Sequence, residues 1–123
     1  MVKQSRSSYT DTVAALSKAI ENAGNTIFAT IDQAAAAKST GLSLRPTTLL
    51  IFGNPKGGTP LMEAFPLTAL DLPLKLLVWE DGAAVYVAYT PASEIASRYG
   101  VPADDPRIAA MDRALATLSD SVV

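Results

Sequence analysis

"LKLLVWEDGAAVYVAY", residues 74–89, decides the fold. Two runs of strand-forming residues flank Asp81-Gly82, the composition of a type I′ hairpin turn. On the second run Val85, Val87 and Tyr89 point one way, as side chains do every second residue along a strand. Immediately upstream, "TTLLIF" (47–52) is a third strand. Its Leu49, Leu50, Ile51 and Phe52 show no polar alternation. That pattern predicts cover on both faces, from helices or from a partner subunit.

Working outward, each strand meets a helix with its own punctuation. "SYTDTVAALSKAIENAG" (8–24) puts Val13, Leu16, Ile20 and Ala23 on one helical face. Ser8 and Asp11 have capping-box-like spacing, with Thr10 a rival cap, and Gly24 ends the helix. "NTIFATID" (25–32) is a strand with Ile27, Ala29 and Ile31 on one side. Asp32 then caps the Ala-rich "QAAAAKST", which Gly41 stops. Thr59-Pro60 reads as cap plus first helical residue for "PLMEAF", and "PLTALDLP" is a compact turn. Thr90-Pro91 and Asp105-Pro106 repeat the device for the last two helices; the second carries Ile108, Met111, Leu115 and Leu118 on one stripe. "VKQSRS" (2–7) is expected as a polar edge strand. The order β-α-β-α-β-loop-β-β-α-α predicts one α+β domain over residues 1–123. Its sheet has about five strands, mainly antiparallel, with helices mostly on one face.

Composition narrows the chemistry. The chain has 123 residues, 49% apolar and 18% charged, with a formal net charge of −2. So low a charged fraction points to apolar surface, of the kind oligomers bury. The basic residues are scattered, which argues against nucleic acid as a partner. Cysteine and histidine are both absent. Disulfides, thiolate chemistry and iron–sulfur clusters are thereby excluded, and the commonest general base and the commonest zinc and haem ligand are missing. No metal or other cofactor is expected. No apolar run approaches the ~18 residues of a membrane span. The polar start "MVKQSRSSYTD" lacks the apolar core of a signal peptide. A cytoplasmic protein without a membrane role is the expectation; the sequence leaves open an export signal ahead of it.

The candidate site is "FGNPKGGTP", residues 52–60. Glycines let successive N–H groups face one concavity, and such nests bind anions. A helix starting at Thr59 would add partial positive charge, and Lys56 adds a full one. Asn54, Lys56, Gly57, Gly58 and Thr59 therefore form a candidate ligand-binding set for a phosphate or carboxylate. The spacing is not that of a Walker loop, because Lys precedes the Gly pair. The plain alternative is a tight connection with Asn54 bonding its own backbone. Asp71 joins the set. It lies among apolar residues, where a carboxylate needs a partner; Lys56, Arg45 or backbone N–H groups are the expected ones. Asp32 and Asp81 have structural roles as cap and turn residue. Phe52, Trp79, Tyr86 and Tyr89 read as core or subunit interface. Arg98 and Tyr99 end a helix, where a cation suits the dipole.

"LRPTTLLIFGNPKGGTPLM", "ALDLPLKLLVWED" and "VYVAYTP", with "IFATID" before and "RYGV" after, resemble the DUF302 family in order and spacing over roughly residues 24–101. The resemblance implies an α+β fold of the TT1751-like type and a homodimer, and it implies no established activity. Asn54, Lys56, Gly58, Thr59, Asp71 and Pro73 stand as the family pattern has them. Gln33 stands where many members have His, so a metal or haem role through that His does not carry over. The function expected is a small homodimeric domain binding a polar or anionic small molecule at the GNPKGGT segment. One alternative is a structural or partner-binding dimer without a ligand. A second is a carboxylate/lysine enzyme using Asp71 and Lys56, which the missing nucleophile motifs disfavour.

Overall fold

The computed structural model describes residues 1–123. Its elements are β1 (Val2–Gln4), α1 (Tyr9–Asn22), β2 (Thr26–Asp32), α2 (Gln33–Ser39), β3 (Thr47–Gly53), α3 (Pro55–Ala64), a 3-10 turn (Pro66–Leu70), β4 (Leu74–Asp81), β5 (Ala84–Ala88), α4 (Ala92–Tyr99) and α5 (Pro106–Asp120). The five strands form one sheet in the order β1-β5-β4-β3-β2, and every pairing is antiparallel. The α+β architecture expected from the sequence is the one observed.

The sheet has two unlike faces. Leu50 and Phe52 on β3, Leu74, Leu76 and Val78 on β4, and Val85 and Val87 on β5 are buried. Against them pack Leu16 and Ile20 of α1, Leu61 of α3, Ile95 of α4, and Ile108, Leu115 and Leu118 of α5. The intervening residues Leu49, Ile51, Leu77, Trp79, Tyr86 and Ala88 point the other way and are only half-buried. The two-sided cover expected for "LLIF" is therefore met by helices on one side only. The other face carries a continuous cross-strand row, Ile31–Leu49–Leu77–Ala88–Val2. Beside it Trp79 stacks on Tyr86 with ring centroids 5.1 Å apart.

Three local expectations are corrected. A β-bulge between Ile27 and Ala29 divides β2. Ile27 pairs with Phe52 and packs on the core, while Ala29 and Ile31 fall on the open face. One extra residue reverses the alternation, and nothing in the composition of "TIFATI" announces it. The β4–β5 turn is Gly82-Ala83 rather than Asp81-Gly82, because Asp81 pairs with Ala84. Positive φ occurs at Gly82 (+62°) and not at Ala83, the pattern of a type II′ turn. The edge strand β1 stops at Gln4. Ser5 then turns inward to share a hydrogen bond with the buried Thr12, and Lys3 Nζ reaches Ser119 Oγ and Asp120 Oδ1 on α5, each at 2.7 Å. These contacts tie the sheet edge to the last helix.

Candidate functional site

The segment Asn54–Pro60 is not a loop. Asn54 is the N-cap of α3, with Pro55 as its first residue. The Asn54 side chain accepts the Lys56 N–H at 3.0 Å, and its backbone carbonyl accepts the Gly57 and Gly58 N–H groups, each at 2.9 Å. Proline just inside a helix start and Asn at the cap are both favoured. Asn54-Pro55 thus takes the role expected of Thr59-Pro60, and Pro60 lies inside the helix. The nest expected at Gly57 and Gly58 is absent, since those N–H groups are spent within the chain.

What the segment does form is one wall of a groove. Asn54, Pro55, Gly57, Gly58, Thr59 and Met62 of α3 face Arg107, Ala110, Met111 and Ala114 of α5 across about 610 Å³. Phe28, Gly53 and Pro73 lie at the same groove. Gly57 and Gly58 keep its wall low: a Cβ at Gly57 would meet no atom, and one at Gly58 would only touch Met62 Cε at 3.8 Å. Arg107 is held by Asp105, the N-cap of α5, through Nη2 to Oδ2 at 2.7 Å and Nε to Oδ1 at 3.0 Å. The Arg107 hydrogen bonds draw the Asp105 carboxyl below its ordinary value and raise the guanidinium. Lys56 is exposed, and its ammonium makes no hydrogen bond or ion pair within the chain.

Asp71 belongs elsewhere. It follows the 3-10 turn, and its Oδ2 accepts from Arg98 Nη1 at 2.6 Å and Tyr99 Oη at 2.7 Å, both at the end of α4. Its side chain is 28% exposed. The Tyr99 hydroxyl first and the Arg98 guanidinium second hold this carboxyl below its ordinary value. The same hydrogen bonds raise Tyr99 and Arg98. Arg45, the other expected partner, pairs with Asp81 at 3.0 Å. The Asp71–Lys56 pair needed for acid–base chemistry is not formed. The roles of Arg98 and Tyr99 were missed because a helix-end cation already satisfies the dipole. The signal available was an Asp in an apolar turn with no local donor.

The acidic residues do not gather either: no three carboxylates come together as a metal-holding group. Asp32 caps α2 by accepting the Ala35 N–H at 2.9 Å, as expected. No helix is long and apolar enough to cross a membrane.

These features define an α+β domain built on a five-stranded antiparallel sheet with its helical core on one face. The chain belongs to the family described as domain of unknown function DUF302, which it matches over residues 1–118. The crystal structure of an uncharacterized conserved DUF302 protein from Bacillus stearothermophilus superposes with a TM-score of 0.91 at 17% identity, covering 100% of this chain and 97% of that one. At that identity the likeness speaks for the fold. Among curated proteins, fluoride-specific ion channel FluC 1 of Brucella suis is 37% identical over 99 residues, 80% of this chain and 39% of its own length. FluC 2 of Brucella melitensis gives the same identity over 37% of its length. The chain thus spans about two fifths of the curated relatives it matches.

Proposed function

We infer that this domain works as a cytoplasmic homodimer, pairing through the open face of its sheet, with the groove between α3 and α5 as a small-molecule site. The observation that carries the pairing is the apolar character of that face. Ile31, Ile51, Trp79 and Tyr86 lie on it, outside the helix-packed core. Leaving such area in water costs about 25 cal/mol per Å², and monomeric proteins rarely expose large contiguous patches of it. Support for a ligand is the groove volume. Lys56 does not line the groove but lies between its lining residues Pro55 and Gly57 in the chain, and the Lys56 ammonium is the charge we assign to a polar or anionic group. The helix N–H groups take no part.

Sedimentation equilibrium at micromolar concentration tests the pairing. The expected species has twice the 12.9 kDa chain mass, and Ile31→Lys combined with Trp79→Arg returns it to the single-chain mass. A parent chain sedimenting at the single-chain mass overturns the reading. Calorimetry with phosphate and small carboxylates, on the parent and on Lys56→Ala, tests the groove.

The Brucella relatives favour a second reading, in which the domain acts beside a fluoride channel. Co-purification of this chain with such a channel from shared membranes tests it, and a chain found wholly apart from the channel overturns it.

A further inference from the structure

A second hollow, of about 430 Å³, opens at the end of the sheet where the 3-10 turn and α4 meet the strands. Val2, Leu49, Leu77 and Ala88 line it, and these four are one cross-strand row of the open face. Leu70, 72% exposed, adds a further apolar wall. The polar lining is Asp71, Lys75, Tyr89, Thr90 and Arg98, together with Met1, whose ammonium donates to the Tyr89 carbonyl at 3.0 Å.

The charges there do not cancel. Lys75 Nζ donates to two neutral carbonyl oxygens, of Asp71 and Pro73, each at 3.0 Å. Those bonds fix the ammonium without neutralising it and leave one of its three N–H donors unspent. Arg98 gives one N–H, on Nη1, to Asp71 Oδ2. Its remaining donors have no partner in the chain, and its side chain is 50% exposed. An Arg98–Asp71 ion pair and a Lys75 ammonium held by neutral carbonyls thus share the lining of one hollow with an apolar floor. Few convergent polar groups on an apolar lining are the usual make-up of a small-ligand site.

We propose that this hollow binds a small monocarboxylate with an apolar body, its carboxylate on Lys75 and Arg98 and its hydrocarbon over the Leu49–Leu77–Ala88 row. These residues belong to one copy of the chain, but the Leu49–Leu77–Ala88 row is part of the face proposed for pairing, so a second copy and a bound hydrocarbon contend for it. The titration is therefore run on the Ile31→Lys/Trp79→Arg variant as well as on the parent. The hollow is told apart from the α3–α5 groove by its lining, Lys75 and Arg98 here against Met62 and Met111 there.

The test is an amide NMR titration of the full chain with hexanoate and, in parallel, with hexanol. Hexanoate is expected to give saturable shifts at Val2, Leu49, Leu77 and Ala88, to bind at least about tenfold more tightly than hexanol, and to weaken about tenfold in Lys75→Gln. Added salt weakens it as well. Should Lys75→Gln fail to fold, the comparison of hexanoate with hexanol on the parent decides alone. Equal affinity for acid and alcohol, shifts confined to Met62 and Met111, or no saturable shift at millimolar hexanoate each overturn the proposal.

Discussion

The Asp112 carboxylate on α5 caps α4 from outside: its Oδ1 accepts the Ala92 N–H at 2.6 Å, and its Oδ2 accepts the Ser93 N–H at 3.3 Å. Thr90, the cap expected from sequence, makes no such bond, and Pro91 occupies the cap position without a side-chain acceptor. A donor-rich helix start has found its acceptor 20 residues away. The contact therefore serves both as a helix cap and as a bolt between two helices. Asp112→Ala is expected to cost about 1 kcal/mol, the usual worth of a cap, and Asp112→Asn less, because an acceptor remains. Urea midpoints of the two variants check this; equal midpoints for Asp112→Ala and the parent would refute it.

The Asp71 network makes stability depend on pH in a set direction. Tyr99 and Arg98 lower the folded-state pKa below the ordinary 3.8, which the unfolded chain keeps. Between the two values the unfolded chain binds more protons, so stability falls as pH falls. The contribution is intact above the ordinary value and lost as pH drops through the folded one. Both Asp71 and Arg98 are partly open to solvent, which screens the pair and keeps the effect modest. From about pH 5 downward the parent should lose stability more steeply than Asp71→Asn. Asp105, lowered in the same way by Arg107, is unchanged in both proteins and leaves a common slope. Parallel stability curves for the two proteins would sink the assignment.

Neighbouring leucines on β3 should respond differently. Leu50 is fully buried among the helices, while Leu49 lies on the open face and is half-buried. Leu50→Ala leaves a cavity and is expected to cost about 2–5 kcal/mol. Leu49→Ala removes area from a partly wet surface and should cost the isolated chain less. Denaturation at concentrations low enough to keep copies apart measures the contrast. Equal losses would mean that both faces are covered within one chain.

The elements were legible wherever a local signal has one physical meaning. Ser8, Asp32 and Asp105 are caps in sequence and in structure, because a side-chain acceptor ahead of an apolar-periodic run has little else to do. Of the stripe Ile108, Met111, Leu115 and Leu118, all but Met111 are buried, and Met111 is half-buried at the α3–α5 groove. The misses share another cause. The bulge at Ile27/Ala29, the Asp112 cap and the Arg98–Asp71–Tyr99 cluster all depend on residues distant in the chain or on register. For residues 52–60, sequence marked an unusual segment and misread its backbone, which starts a helix at Asn54. Glycine, Asn and Pro fit both an anion nest and the first turn of a helix. The choice was made by the Asn54 carbonyl accepting two N–H groups.

The start of α3 can be tested by two single substitutions. If the helix begins at Asn54, then Asn54→Ala removes the acceptor for the Lys56 N–H and costs about 1 kcal/mol. Thr59 sits in the second turn, exposed, and its hydroxyl makes no hydrogen bond within the chain. Thr59→Ala should then leave stability unchanged or raise it slightly, since Ala is the better helix former. A helix beginning at Thr59 would give the opposite ranking, because Thr59 would be the cap and Asn54 a dispensable turn residue. Thermal midpoints of the two variants, at a concentration that holds the association state constant, separate the cases. A larger loss for Thr59→Ala than for Asn54→Ala would restore the loop and, with it, free N–H groups for an anion.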